Sequence, residues 1–287
     1  MVLDYKTIDL YGKMIFETII LEPPYKKPNL LPNEACFLYI LDGEYDSYSE
    51  AGKLRVREEE SLLMKCGNYI CRMLPSKSSK KYRAIAVHFH PEILLKIYDN
   101  RLPNFLKTDA PKAVGMSKLK SDIIVRKYIE SVLFYFENPD LVNEDILSLK
   151  LKEIILLLNQ TQNAPVIRQI LSSLFHPTSY SFREVVEAHH YSNISLEELA
   201  QLTNKSLSTF KRDFKKLYQS SPASYLRDKK LEKSVELLTR TDLRTTDIAY
   251  ECGFSNVSHY SKTFKLRYGV SPTIFKLNRM SKSLSQP

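Results

Sequence analysis

Residues 246–272 read TDIAYECGFSNVSHYSKTFKLRYGVSP, and residues 195–222, about 50 positions earlier, read SLEELAQLTNKSLSTFKRDFKKLYQSSP. The second of these copies along the chain has one extra residue between Ser255 and Tyr260. A duplication of this length predicts two copies of one structural unit. The matched positions are Leu199 with Ile248, Ala200 with Ala249, Ser206 with Ser255, Phe210 with Tyr260, Phe214 with Phe264, Tyr218 with Tyr268, and Pro222 with Pro272.

Each copy predicts a helix, a tight turn and a second helix. Ser195 followed by Glu198 is a capping-box pattern, which predicts the start of the first helix. Gly253 lies where the chain must leave that helix with a positive φ, and Asn204, the next-best residue for this conformation, takes its place in the other copy. Ser206 and Ser255 are expected to cap the second helix of each copy.

The second helix of each copy has an aromatic face and a polar, basic face. The aromatic residues recur four positions apart, so they are expected to face the core. The opposite face suits the major groove of DNA, where polar side chains meet base edges and cations meet phosphates. Any surface helix can present a solvated polar face, but two capped copies favour the DNA interpretation. The candidate DNA-contacting residues are Ser208, Thr209, Lys211, Arg212, Lys215 and Lys216 in one copy and Val257, Ser258, His259, Lys262, Lys265 and Arg267 in the other.

The positive charge of the chain is concentrated in its last third. The 287 residues carry a formal net charge of +9, of which +7 falls within residues 182–287 and only +2 within residues 1–181. A basic module attached to a nearly neutral one indicates a polyanionic partner, and the helical pattern makes that partner nucleic acid rather than an anionic membrane.

A single long helix is predicted between the two copies. Pro222 suits its first turn, and apolar residues recur at helical spacing as far as Arg240. About 18 helical residues span roughly 27 Å. That length can hold two DNA-reading units about one turn of DNA, roughly 34 Å, apart.

The first 90 residues read as short strands separated by turns. The predicted strands include Cys36–Leu41, which ends at an Asp42-Gly43 turn, then Lys53–Arg57, Ser61–Lys65, Tyr69–Leu74 and Arg83–His90. Five of the seven glycines precede residue 116, so turns are dense only in this part of the chain. The pattern predicts a small β-sandwich or barrel.

Residues 91 to about 175 read as helices, namely Pro91–Asp99, Asp122–Phe136, Ile146–Leu158 and Ala164–Phe175. The stretch Ile154–Leu158 is apolar nearly all round, so it is either centrally buried or part of a protein interface. His176–Ser179, which contains Pro177, is predicted to be a linker.

The region 182–282 resembles the DNA-binding domain of the AraC/XylS transcriptional regulators. The resemblance is carried by Asp247–Ser255, Tyr260–Phe264 and Tyr268–Pro272 and covers about a third of the chain. It implies that Ser208, Lys211 and Arg212, and in the second copy Val257, Ser258, His259 and Lys262, face bases or phosphates.

A weaker resemblance covers residues 30–178 and is to the sensory half of such regulators, a cupin-like β-domain followed by dimerising helices. The layout is most similar to the subgroup that includes activators of type III secretion. Two residues depart from the family pattern: Gln219 stands where glycine is expected, and Lys205 stands where the second copy has the apolar Phe254.

Several other function classes lack their motifs. Neither phosphate-binding glycine loop occurs, no G-x-S-x-G elbow is present, and the four cysteines form no C-x-x-C pair. No apolar run approaches the roughly 18 residues needed to cross a bilayer, so no membrane partner is expected. The amino terminus lacks a signal-peptide pattern, so a cytoplasmic location is expected.

His88 and His90 lie on one face of a predicted strand and, with Glu92 nearby, suggest a metal site such as those of catalytic cupins. The glycine-rich turn and the later partner histidine expected of such a site are not evident. Ordinary hydrogen-bonded histidines are therefore the favoured interpretation, and neither a metal nor another cofactor is predicted.

Together these patterns predict an α+β chain. Residues 1–112 would form a cupin-like regulatory β-sandwich or barrel, 113–178 a helical dimerisation segment, and 182–282 an all-α domain with two helix-turn-helix motifs. The predicted function is sequence-specific DNA binding by a non-enzymatic transcription regulator, an activator, whose N-terminal domain senses a signal.

The expected partners are a double-stranded promoter operator, RNA polymerase, a second copy of the chain, and an effector that is either a small molecule or a protein. Two alternatives remain: a cupin-type metal-binding enzyme tethered to DNA, and a regulator controlled by an anti-activator protein.

Overall fold

The computed structural model describes residues 1–31, 33–76, 80–107, 115–120, 122–175 and 180–283, with side chains as far as residue 278. The chain divides into two compact units, Met1–Ser181 and Phe182–Pro287. The predicted linker His176–Ser179 lies outside the described residues.

The described part of the first unit contains two antiparallel sheets. One has six strands in the order β1-β2-β9-β4-β7-β10, and the other has four in the order β3-β8-β5-β6. The strands are β1 (Val2–Leu10), β2 (Lys13–Leu21), β3 (Tyr25–Leu31), β4 (Ala35–Asp42), β5 (Glu44–Ser49), β6 (Gly52–Arg57), β7 (Ser61–Met64), β8 (Gly67–Leu74), β9 (Tyr82–Phe89) and β10 (Met116–Leu119).

Strand β4 shows why the predicted strand Cys36–Leu41 is apolar throughout. Cys36, Leu38 and Ile40 belong to a buried cluster shared with residues of the four-stranded sheet. Phe37 and Tyr39 point to the other side and belong to the cluster shared with the helices. Because both faces of the central strand are covered, alternation between polar and apolar residues disappears.

Within the residues that the structure describes, four α-helices belong to this unit: α1 (Pro91–Ile97), α2 (Ile123–Glu137), α3 (Glu144–Gln160) and α4 (Ala164–Ser172). The side chain of Asp122 accepts a hydrogen bond from the Ile124 amide, and that of Asn143 accepts one from the Ile146 amide, so both longer helices are capped at their first turns. Among the described residues, no helix has both the length and the apolarity needed to cross a membrane.

The prediction that residues 91–175 are helical is wrong at one place. Met116–Leu119 forms β10, which pairs with Ser61–Met64 in the six-stranded sheet. Four residues are too few for a period to show, and the pairing partner lies more than 50 positions away in sequence.

The apolar stretch Ile154–Leu158 is only partly buried. Ile154, Ile155 and Leu158 lie in the core, whereas Leu156 is 49% exposed. Both interpretations of this stretch therefore stay open, since the buried side packs in the core while another side reaches solvent.

The second unit contains seven helices within its described residues: α5 (Phe182–Ala188), α6 (Leu196–Leu202), α7 (Leu207–Tyr218), α8 (Pro222–Arg240), α9 (Thr245–Glu251), α10 (Val257–Tyr268) and α11 (Pro272–Ser283). The predicted helix between the two copies is α8, with its first turn capped by Ser221, whose Oγ accepts from the Ser224 amide.

Candidate nucleic-acid interface

The first helix-turn-helix unit is built by α6 and α7. The Oγ of Ser195 accepts from the Glu198 amide at 3.2 Å, and the Glu198 carboxylate accepts from the Ser195 amide at 2.6 Å, which confirms the capping box. The chain then turns through Asn204 at φ 54°. Ser206 caps α7 through a bond from the Thr209 amide. Each local signal read from the first copy thus has its expected role.

The second helix-turn-helix unit, built by α9 and α10, turns through Gly253 at φ 78° as predicted, but the prediction that Ser255 caps α10 is wrong. Asn256, not Ser255, is the N-cap of α10: its Oδ1 accepts from the Ser258 amide at 2.8 Å and the His259 amide at 3.1 Å. Ser255 is thus the extra residue of the second copy, and Asn256 is the structural equivalent of Ser206. Serine and asparagine cap equally well, so sequence did not distinguish the two neighbours.

Gly253 is required by space as well as by backbone conformation. A Cβ at this position would lie 2.2 Å from the carbonyl oxygen of Tyr191. The Nζ of Lys230, on α8, donates to the carbonyl of Gly253 at 2.8 Å. Lys230 therefore holds the turn of the second unit against α8, a role that sequence reasoning missed because it depends on a tertiary contact.

Both helix-turn-helix units have the predicted aromatic cores. Phe210, Phe214, Tyr260 and Phe264 are fully buried. The ring of Tyr225, three residues after Pro222, packs on Phe214 and Tyr218. Phe275, three residues after Pro272, packs on Phe264 and Tyr268 in the same way. The duplication thus extends into the helices that follow each helix-turn-helix unit. Equivalent contacts fix α7 and α10, here called the recognition helices, to the core.

The candidate DNA-contacting residues lie on the outer surfaces of α7 and α10. Thr209 and Val257 are half-buried, and Val257 packs against the second core, so these two are the least available to a partner. Arg212 and Lys262 occupy equivalent positions, as do Ser208 and Ser258. The exposed candidates are Ser208, Lys211, Arg212, Lys215, Lys216, Ser258, His259, Lys262, Lys265 and Arg267.

The two departures from the family pattern are accommodated locally. Gln219 ends α7 with φ 52°, the left-handed conformation that Gly269 adopts at the equivalent place with φ 79°. Its side-chain amide donates to the Lys216 carbonyl at 3.0 Å. Lys205 forms an ion pair with Asp213 at 3.0 Å, and the hydrogen bond from Lys205 lowers the pKa of that carboxyl.

The histidines of the first unit form an ionic cluster. His88 Nδ1 lies 3.2 Å from Glu34, and its Nε2 lies 3.5 Å from Glu17. Burial of His88 disfavours its charged form, but the carboxylates of Glu17 and Glu34 outweigh that effect and raise its pKa to about 9.

The third residue of the suggested metal site lies elsewhere. Glu92 pairs with Lys13 at 3.1 Å, and His90 Nε2 is 2.8 Å from the Met14 carbonyl oxygen. Over the part of the chain that the structure describes, no group of three or more His, Cys, Asp or Glu side chains is arranged to hold a metal ion.

Two capped helix-turn-helix units joined by one helix, each presenting a polar and basic helix face, define a DNA-binding domain of the double helix-turn-helix class. A family model described as "Helix-turn-helix domain" matches residues 199–278, and one described as "ExsA N-terminal regulatory domain" matches residues 35–170. Through these two matches the chain is similar to transcription regulators of the AraC/XylS family.

Three curated relatives illustrate the similarity. The chain is 26% identical over 125 residues to the HTH-type transcriptional regulator ExsA of Pseudomonas aeruginosa, an alignment that covers 44% of this chain and 45% of ExsA. It is 23% identical over 158 residues to the virulence regulon transcriptional activator VirF of Yersinia enterocolitica, covering 55% and 58%.

With the HTH-type transcriptional activator RhaS of an Enterobacter species it shares 35% identity over 94 residues, covering 33% and 34%. The chain therefore spans about half the length, or less, of the curated relatives it matches.

Proposed function

We propose that this protein is a sequence-specific DNA-binding transcription regulator that activates its target promoters. The observation that carries the proposal is the recurrence of one surface on two recognition helices, with a hydroxyl at Ser208 and Ser258 and a cation at Arg212 and Lys262. A chance solvated face has no reason to recur at equivalent positions of two capped units. The relatives named above as regulators or activators support the same role.

On each recognition helix, some side chains supply affinity for DNA and others discriminate between bases. Cations on α7 and α10 bind phosphates and release counterions, which makes affinity depend on salt. Polar side chains near the helix starts meet base edges in two successive major grooves. The residues assigned to affinity are Lys211, Lys215, Lys216, Lys262, Lys265 and Arg267, and those assigned to base discrimination are Ser208, Arg212, Ser258, His259 and Lys262.

The compact unit Met1–Ser181 supplies regulation. In this proposal residues 1–112 form the signal-sensing β-domain, 113–178 the dimerisation segment and 182–282 the DNA-binding domain, with β10 of the dimerisation segment completing the sheet of the sensing domain. A signal, either a small molecule or a protein, changes dimerisation or the spacing of the recognition helices and so changes operator occupancy. The bound protein acts in the cytoplasm, where it recruits RNA polymerase.

Genome-wide mapping of DNA bound by the protein tests the proposal directly. We expect a limited set of promoters that share a motif with two recognition elements about one helical turn apart. Binding scattered over the genome without a shared motif would contradict sequence-specific recognition. Transcript levels of the mapped genes in a deletion strain then distinguish activation, expected as loss of transcript, from repression.

Substitution of Arg212 by alanine tests the assignment of one base-reading residue. Arg212 is exposed on α7 and its Nε lies 3.8 Å from Asp213, so its removal leaves no buried group unpaired. We expect Arg212→Ala to weaken binding to the mapped operator by about 1–3 kcal/mol while sparing most non-specific binding. The measurement is a gel-shift titration on operator and scrambled duplexes, with Arg240→Ala on α8 as a control. Equal losses on both duplexes would assign Arg212 to phosphate instead.

A further inference from the structure

A groove of about 630 Å³ separates the first half of α8 from α10. It lies beside the second helix-turn-helix unit, and the repeat explains its outer wall. Leu199 and Ile248 are 49 positions apart, and the same offset matches Phe182, where α5 begins, with Leu231 in the middle of α8. The turns of α8 before Leu231 therefore form an extra wall beside the second recognition helix.

Three of the residues that line the groove are cations, against a single carboxylate. Arg227 lies on the α8 wall, and Lys262 and Arg267 lie on α10 with His259. Asp228 is the one carboxylate among the lining residues. Among the described residues, no carboxylate pairs with the guanidinium of Arg227, whose NH2 group donates to the Ser224 Oγ at 3.1 Å. The charge of the groove thus favours an anion.

The repeat also shows which positive charge of the first helix-turn-helix unit is missing from α10. Lys216 is an exposed cation on α7, and its equivalent on α10 is Leu266, which is 80% exposed. The second recognition helix therefore lacks a cation at this position. Arg227 supplies one from the opposite wall of the groove, so both units keep a comparable number of positive charges beside the expected DNA.

The mouth of the groove adjoins the DNA-reading face, because Lys262 and His259 belong to both. Between two major-groove contacts about one turn apart, a sugar-phosphate strand must cross the space between the recognition helices. We infer that this groove holds that strand and that Arg227 binds one of its phosphates. The inference rests on the proposed function and adds a contact from α8 that carries no sequence information.

The test uses the full chain, its mapped operator and an unrelated duplex over a range of salt concentrations. A single lost phosphate contact lowers affinity roughly 5- to 10-fold near 0.1 M salt and makes the slope of log K against log salt shallower by about 1. We expect this change for Arg227→Ala on both duplexes. Arg227→Lys, which keeps the charge, should retain most of the slope. Arg240→Ala, at the other end of α8 and outside the groove, should leave the slope unchanged.

Neutral methylphosphonates placed one at a time between the two recognition elements then locate the contact. One position should weaken wild-type binding and leave Arg227→Ala unaffected. An unchanged salt slope for Arg227→Ala, or no such coupled position, would overturn the inference while operator binding itself stood. Full DNA binding with loss of transcription in a reconstituted reaction would instead assign the groove to an acidic segment of the polymerase. If wild type shows no preference for its operator, the proposed function fails, independently of the groove.

Discussion

At the scale of single residues, two glycines with the same backbone conformation differ in whether a larger side chain would fit. Gly253 and Gly269 both have φ close to +80°, one in the turn of the second unit and one at the end of α10. A Cβ at Gly253 would collide with the backbone of Tyr191, whereas a Cβ at Gly269 would meet no atom within 4 Å. Sequence identified Gly253 as a turn position, but the collision depends on a loop more than 60 residues away in sequence.

This difference predicts unequal effects of one substitution. Gly269→Ala adds only the cost of a left-handed conformation, about 1–2 kcal/mol. Gly253→Ala must in addition displace the Tyr191 backbone and disturb the Lys230 bond, so we expect a loss of about 3 kcal/mol or more. Urea unfolding of the two full-length variants, followed by far-UV circular dichroism, measures the difference. Equal destabilisation would show that the turn relaxes without cost.

The cluster of His88 predicts a stability that falls at alkaline pH. Its pKa is raised from 6.5 to about 9 in the folded chain, so its contribution is complete below about 6.5 and disappears as the pH rises through about 9. The full contribution is on the order of 3 kcal/mol. His88→Gln, which cannot be protonated, should destabilise the protein most at pH 6 and least at pH 10.

Urea midpoints of wild type and His88→Gln across that pH range provide the measurement. A substitution of the exposed His259, which lies outside this cluster, serves as the control. A constant difference between wild type and His88→Gln at every pH would show that His88 is not held as a cation by Glu17 and Glu34.

At the scale of elements, the sequence predicted the features that are determined by interactions between residues close together in the chain. The helix-turn-helix units were predictable because capping, positive φ and aromatic spacing act within a few residues, as at Ser195, Asn204 and Gly253. Strand β10 was missed because its pairing with β7 is decided by the assembled sheet. Asn256 was missed because two good caps stand side by side, and only the geometry of the turn chooses between them.

In the candidate interface, too, features set within one helix could be predicted and contacts between elements could not. The outer faces of α7 and α10 could be predicted because helical periodicity fixes which side chains oppose a buried aromatic pair. The Lys205–Asp213 ion pair and the Lys230 bond to Gly253 could not, because they join separate elements. The groove residue Arg227 was missed for the same reason, since nothing in α8 alone reveals the neighbouring helix.

At the scale of the whole molecule, α3 offers a surface through which two copies of the chain can associate. Its buried residues Leu151, Ile155 and Leu158 form one face. Leu149 and Leu156, seven positions apart and 65% and 49% exposed, lie together on the opposite face. An apolar pair two turns apart on an exposed helix face is typical of helix-mediated dimers, and it supports the proposed role of the dimerisation segment.

We therefore expect Leu149→Glu with Leu156→Glu to convert a dimer into a monomer, because like charges would be brought into the helix contact. Light scattering coupled to size exclusion measures the mass, and Leu30→Glu, at an exposed leucine of β3, is the matched control. Since neither leucine belongs to the core, the double variant should keep the wild-type circular dichroism spectrum. A monomeric wild type at all concentrations, or a variant that stays dimeric, would show that this face of α3 does not mediate self-association. In the first case the operator would be read by a single chain through its two recognition helices.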